Sequence, residues 1–190
     1  MSMDMRIRTN SAPILPSAGP AREAVHRTPP RDYSSGVPLT PPTSLPFVVR
    51  ASPIQGQGAF ATRDIPAGTR IIEYAGERLT PAEADARYPD VPGERYHTFL
   101  FAIDDDVVVD ASVNGNEARF LNHSCAPNCD VVIDQKRLWI EAIQDIEVGE
   151  ELVYDYAFIL PERHTPAAKK RYPCHCGAIT CRGTMLAKKR

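Results

Sequence analysis

The 190-residue sequence contains no apolar run approaching the roughly 20 residues needed to cross a bilayer, so no membrane span is expected. Its first ten residues carry arginines with no apolar stretch behind them, which excludes an ordinary secretory signal. Export as an effector by a dedicated machine stays open. Basic excess is also missing: 22 Lys and Arg face 24 Asp and Glu, a net charge of -2. That argues against direct contact with nucleic acid, because a phosphate backbone needs a compensating positive surface. Nor is there a disulfide framework. Five cysteines is an odd number, and Cys174, Cys176 and Cys181 crowd into eight residues, which points to a metal site in a reducing, intracellular setting.

What remains, with 43% hydrophobic and 24% charged residues, is the composition of one globular domain with a real core. Residues 1–46 stand apart. They hold nine of the 18 prolines and read as a disordered, Pro-rich leader, serving as a linker or as a partner-docking arm. This leader has five basic and three acidic residues, leaving 17 basic and 21 acidic in residues 47–190, a charge of -4. An acidic folded part attracts a basic protein or peptide and repels DNA.

From Phe47 the pattern changes to short β-type runs: Phe47 to Arg50, Thr69 to Tyr74, His97 to Ile103, Val107 to Asp110, Asp130 to Ile133, Leu138 to Ile143 and Leu152 to Tyr154. One helix is expected among them. Thr80-Pro81-Ala82-Glu83 combines an N-cap threonine, a first-turn proline and a glutamate able to close a capping box. Two similar segments, Asp64-Ile65-Pro66-Ala67-Gly68 and Asp145-Ile146-Glu147-Val148-Gly149, read as one glycine turn used twice to enter a strand. The fold class is therefore mainly β, built from small sheets.

Five motifs carry the chemistry. Gly56-Gln57-Gly58 lets a ligand approach the backbone, although the third glycine and opening helix of a dinucleotide-binding fingerprint are absent. Tyr74-Ala75-Gly76 follows a strand. Arg119 to Asn128 gathers Asn122, His123, Ser124 and Cys125 consecutively, a loop composition that offers hydrogen-bonding and metal-binding groups. Glu151 to Tyr156 ends a short apolar run in Tyr154-Asp155-Tyr156, and the cysteine cluster closes the chain. In order and spacing these motifs resemble the SET-domain protein-lysine methyltransferases with a zinc-binding post-SET tail, over roughly residues 47–187.

The resemblance implies a SET fold of several small curved sheets with a pseudoknot, in which the segment after Ile143 threads through a loop. It divides the chain into the leader at 1–46, a SET domain at 47–160 and a post-SET tail at 161–190. It further implies S-adenosyl-L-methionine as methyl donor, cradled by Gly56, Gln57 and Gly58, contacted by Arg119, Asn122 and His123, and covered on its adenine side by Met185 or Leu186. Around the lysine channel it places Tyr156 as the principal catalytic residue, with Tyr74 and Tyr154, and with Tyr96 and Phe99 as further wall. Tyr154 stands where the family carries phenylalanine or tyrosine, and its hydroxyl predicts mono-methylation with some dimethylation. The substrate expected is a basic, histone-like protein, met in cytoplasm or on chromatin.

Three thiolates at Cys174, Cys176 and Cys181 are one short of a tetrahedral Zn²⁺ site. Cys125 is the natural fourth ligand, with Cys129 or His175 as substitutes, and a shared zinc would clamp the tail over the cofactor site. Two other classes compete with the enzyme. A catalytically inactive, zinc-stapled peptide-binding module would have no need for Tyr74, Asn122, His123 and Tyr156 together, and a small nucleic-acid-binding zinc protein conflicts with the acidic core.

Overall fold

A computed structural model describes the backbone of residues 6–7 and residues 44–89, 99–160 and 163–188. The strands, in chain order, are β1 (Arg6–Ile7), β2 (Phe47–Ala51), β3 (Gln57–Ala61), β4 (Arg70–Glu73), β5 (Glu77–Leu79), β6 (Leu100–Ala102), β7 (Val108–Asp110), β8 (Asn122–His123), β9 (Cys129–Asp134), β10 (Arg137–Ala142), β11 (Glu151–Tyr154) and β12 (Phe158–Ile159). Helix α1 (Pro81–Arg87) follows β5, a 3-10 turn spans Glu117–Phe120, and α2 (Pro166–Arg171) lies in the tail. None of these helices is long and apolar enough to cross a membrane.

Three small sheets make the body, ordered β2-β3-β11-β8, β4-β10-β9 and β5-β7-β6, and β1 pairs with β12 separately. The mainly-β expectation holds, as do the seven expected strands where residues are described. Alternation explains the inward faces. In β10, Leu138, Ile140 and Ala142 are buried while the residues between them are not. Leu138, Ile140, Ile146 and Leu152, each at most 1% exposed, join Phe101 and Leu121 in one core.

Helix α1 forms where its capping signal places it: the Thr80 side chain accepts from the Glu83 N–H, and Glu83 reaches back to the Thr80 N–H. Its C-terminal end is pinned by Asp110, fully buried, which accepts from Arg87 Nη1 at 2.8 Å and from the Tyr88 hydroxyl at 2.9 Å. The expectation of one helix misses α2, although Thr165-Pro166 repeats the same N-cap and first-turn proline.

The two glycine turns pack against each other. Ile65 and Ile146 exchange backbone hydrogen bonds of 2.8 and 2.9 Å, and each turn's aspartate accepts from the other turn: Ala67 N–H to Asp145, Val148 N–H to Asp64. Gly68 and Gly149 sit at φ of 80° and 90°, where a side chain is disfavoured, and the turns lead into β4 and β11 as expected. Their pairing delivers β11 beside β8, so the Asn-His and Tyr-Asp-Tyr motifs become parallel neighbours, Val153 opposite Asn122 and Tyr154 opposite His123.

The loop expected at Asn122–His123 is therefore a short strand. Asn128 extends this seam with strand-like bonds of its own, donating to the Glu151 carbonyl and accepting from the Val153 N–H at 2.8 and 2.9 Å. Upstream, Asn116 caps the 3-10 turn and donates to the Glu73 carbonyl at 2.7 Å, tying β4 to the segment that carries the site. At Gly115 a Cβ would lie 2.0 Å from the Ala111 carbonyl oxygen. Gly115→Ala is therefore expected to destabilise by about 3 kcal/mol, lowering the melting temperature by roughly 6–12 °C. A shift below about 1 °C in a thermal melt would show that this turn relaxes freely.

Candidate active site

The parallel β8–β11 seam places Asn122 and His123 beside the Tyr154-Asp155-Tyr156 turn, and every group in the site hangs from it. His123 Nδ1 accepts the Tyr156 N–H at 3.1 Å, which leaves the ring proton on Nε2, 3.4 Å from Cys125 Sγ. Burial pushes the imidazole down to about 4, against the opposing pull of Asp155, so the ring is neutral at physiological pH. It thereby links the tyrosine turn to the cysteine cluster as a fixed hydrogen-bonding bridge.

Tyr156 is the hub of an aromatic group. Its ring centroid lies 4.8 Å from Tyr154, 5.3 Å from His123 and 5.3 Å from Phe158. Its hydroxyl donates to the Leu121 carbonyl at 2.8 Å, and the Tyr74 hydroxyl donates to the Phe99 carbonyl at 3.1 Å. Burial raises all three tyrosines, Tyr74, Tyr154 and Tyr156, well above the usual phenol range. They are neutral hydroxyls near pH 7, able to orient a ligand but not to act as phenolate bases. Phe99 lies beside Tyr74, its carbonyl accepting that hydroxyl, whereas Tyr96 lies outside the described residues.

Tyr156 also borders a pocket. Ile54 and Gln55 border it from the loop before β3, Asn122 and His123 from β8, and Pro173, Cys174, His175 and Met185 from the tail. The Asn122 amide nitrogen is spent on the loop, contacting the Gln55 and Gln57 carbonyls at 3.2 and 2.9 Å and Glu151 Oε1 at 2.8 Å. Glu151, at the start of the Tyr-Asp-Tyr motif but given no role by the sequence, also accepts from the Ser52 hydroxyl at 2.8 Å. A Cβ at Gly58 would come within 2.1 Å of that carboxylate, so glycine is what lets the cradle close, while Gly56 turns the chain at φ 52°.

Two candidate residues sit elsewhere. The Arg119 guanidinium donates to the Ala111 carbonyl at 3.2 Å and lies 4.8 Å from the Phe120 ring and 5.9 Å from Phe99, and it is not among the residues that border the pocket. Its Nε is buried without a partner. Leu186 is 1% exposed and bridges Phe158, so it belongs to the core, and its neighbour Met185 faces the pocket.

The four sulfurs of Cys125, Cys174, Cys176 and Cys181 lie within 4.8 Å of one another. Cys129 is remote, 1% exposed in the core with its thiol pushed up to about 12 by burial, and His175 turns to the pocket. Backbone N–H groups of Arg182, Cys125 and Gly183 point at Cys125, Cys176 and Cys181 sulfurs at 3.3–3.5 Å, the pattern that stabilises thiolates. The donor set fits a closed tetrahedral zinc site. Arg182 then grips Asp155 through two bonds of 2.7 Å, fastening this cluster to the tyrosine turn.

Comparison with known proteins agrees with this geometry. The sequence model of the SET domain family matches residues 56–157. Similar curated proteins include histone-lysine N-methyltransferase trithorax of Drosophila virilis, 45% identical over 137 residues, which are 69% of this chain and 3% of that protein. Histone-lysine N-methyltransferase 2B of Homo sapiens is 42% identical over 138 residues, 70% of this chain and 5% of that protein. The H3 lysine-4 specific histone-lysine N-methyltransferase of Schizosaccharomyces pombe is 44% identical over 137 residues, 70% of this chain and 14% of that protein. The chain thus spans a small fraction of the length of these relatives. With more than half of its residues in the family match, and the family's motifs assembled around one seam, the chain belongs to the SET domain family.

Proposed function

We propose that this chain is an S-adenosylmethionine-dependent protein-lysine N-methyltransferase whose C-terminal tail is fixed by Zn²⁺ on Cys125, Cys174, Cys176 and Cys181. The observation that carries the reading is Tyr156: it borders the pocket shared by Asn122 and Met185 and packs its ring 4.8 Å from that of Tyr154, so on this reading it separates a cofactor pocket from a lysine channel walled by Tyr74, Tyr154 and Phe99. When bound, S-adenosylmethionine supplies an electrophilic methyl group on a sulfonium.

The residues divide the remaining work. Asn122 has committed its nitrogen to the loop, which leaves its carbonyl oxygen to accept from an ammonium in the pocket. Pro173 and Met185 give that pocket an apolar wall suited to a base, and Gly58 leaves room for the Glu151 carboxylate that holds the Asn122 amide. On the channel side a lysine must arrive neutral, at a cost of roughly 4 kcal/mol near pH 7.4 given its ordinary pKa. Desolvation by aromatic walls offsets part of this. The Tyr156 oxygen and the Leu121 carbonyl, already 2.8 Å apart, accept from the amine and aim its lone pair toward the pocket. Such orientation supplies several kcal/mol.

A histone-like substrate in chromatin is favoured by the -4 charge of residues 47–190 and by the names of the relatives. The product is mainly monomethyl-lysine, because the Tyr154 side chain fills the channel beside Tyr156. Tyr154→Phe is expected to raise the share of di- and trimethylated product severalfold by mass spectrometry, and an unchanged product ratio would refute the size argument.

The deciding assay uses labelled S-adenosylmethionine with core histones and with a mixed protein extract, wild type beside Tyr156→Phe. Label on lysine that disappears in the variant supports the enzyme. No transfer, together with no cofactor binding by calorimetry, would instead favour the zinc-stapled peptide-binding module.

A further inference from the structure

The composition of the leader predicts disorder throughout, yet Arg6–Ile7 form β1, paired antiparallel with β12 in the register Arg6 to Ile159 and Ile7 to Phe158. The rest of that expectation concerns residues outside the described ones, apart from 44–46. The place β1 takes is specific. On one side lies β12, which follows Tyr156 by one residue, stacks Phe158 on Tyr156 at 5.3 Å and is bridged to the tail at Leu186. On the other side, β1 approaches within 8 Å of β6, whose strand begins right after the channel-wall residue Phe99. Phe99 precedes β6 and Tyr156 precedes β12, so on the methyltransferase reading, which sets these two residues on either side of the lysine, a peptide presenting that lysine would run along this slot.

We infer that the leader strand is a built-in pseudosubstrate: in cis it fills the strand slot between β6 and β12 and competes with the protein to be methylated. The inference rests on the methyltransferase reading for what it inhibits, but its docking stands on backbone pairing alone. Strand addition to an exposed edge draws affinity from main-chain hydrogen bonds, so it tolerates many sequences and needs no specific pocket. Charge agrees with the role. All five basic residues of positions 1–46 are arginines, and the leader contains no lysine. It is thus a basic strand drawn to an acidic domain, with no acceptor amine to be consumed there. Because strand and domain belong to one chain, this docking is intramolecular and needs no second molecule. A leader of modest intrinsic affinity then suffices to keep the slot mostly closed.

Disrupting β1 in the 190-residue chain tests this. Of two adjacent amides in an antiparallel pair, one points at the partner strand, so Arg6→Pro with Ile7→Pro removes that bond whichever it is. The double variant is expected to lower KM for core histones about tenfold with kcat unchanged. A synthetic peptide of residues 2–12, fluorescein-labelled, should bind the variant at least tenfold more tightly than wild type by anisotropy. Unlabelled, it should restore the higher KM, competitively against histone and not against S-adenosylmethionine. Equal KM values with no binding of the peptide would overturn the inference. Inhibition of wild type that grows with enzyme concentration would overturn its intramolecular form, pointing to a second copy's leader. If neither protein transfers methyl groups, the enzymatic reading fails, and peptide anisotropy alone still decides whether the slot takes the leader.

Discussion

Cys125→Ser is expected to release the metal and to abolish methyl transfer while leaving the three sheets folded. Structural zinc in small cysteine sites binds with about 10–16 kcal/mol, nearly all of which acts as folding energy for the segment it closes. Here that segment is the tail. Among its elements only short ones have a fold of their own: a six-residue helix, the bridge from Pro173 to Thr184, and the bridge from Leu186 to Phe158. Cys125 is the cysteine of the set that comes from the body of the domain, two residues past His123, so its loss is expected to cut the tie between tail and seam rather than merely to weaken the cluster. Pro173, His175 and Met185 then leave the pocket, and the Arg182 grip on Asp155 loosens with them. Cofactor affinity should fall by more than 100-fold by calorimetry, zinc content should fall from one per chain to a small fraction, and the β-type circular dichroism should persist. Cys129→Ser is the control. It buries a hydroxyl in the core, so it costs stability, but zinc content should stay at one per chain. Full zinc retention in Cys125→Ser would move the fourth ligand elsewhere.

The cysteine set behind that prediction is legible in the sequence alone, and the reason is local. Three cysteines in eight residues announce a metal through spacing, and a fourth one in a polar loop completes the set without any knowledge of the path between them. The capping box at Thr80 and Glu83 is legible for the same reason, since both partners lie within one turn. The strand at Asn122–His123 is not local. It exists only because Val153–Tyr154 lies parallel to it some thirty residues on, and the composition of Asn-His-Ser-Cys argues for a loop. Leu186 and Met185 show how fine the distinction becomes. Adjacent residues in extended backbone face opposite ways, so the bridge between Leu186 and Phe158 turns Met185 to the pocket and buries Leu186. Arg119 is turned away from the pocket-lining residues for a similar reason, because the 3-10 turn carries it toward Phe99 and Ala111. Glu151 does carry a sequence signal: an acidic side chain begins the strand that faces a glycine loop, where no side chain exists to cover it.

Tyr156→Phe should lower kcat by 100-fold or more with little change in KM for the cofactor. The hydroxyl is one atom, yet its position is fixed from three directions: by its bond to the Leu121 carbonyl at 2.8 Å, by the main-chain bond from its own N–H to His123, and by packing against Tyr154 and Phe158. Because burial keeps it protonated far above neutral pH, its contribution is geometric, and it cannot be replaced by solvent base. Removing it leaves the Leu121 carbonyl as an acceptor with no partner to hold the amine in line, and misalignment of a reacting group by about 1 Å can cost about 100-fold. The Tyr156 side chain is only partly buried and phenylalanine keeps the ring, so the loss in stability should stay near the roughly 1 kcal/mol of a single hydrogen bond. The separation of those two numbers is the test. A fall in kcat matched by an equal loss of folded protein would make Tyr156 a packing residue, whereas a catalytic loss in a variant that melts within a few degrees of wild type assigns the hydroxyl to orientation of the amine. The His123 bond adds a second arm. His123→Ala removes the acceptor for the Tyr156 N–H together with a ring contact on the phenol, so it should reproduce part of the kcat loss, and restoring the bond alone with His123→Asn should recover the share that the bond carries.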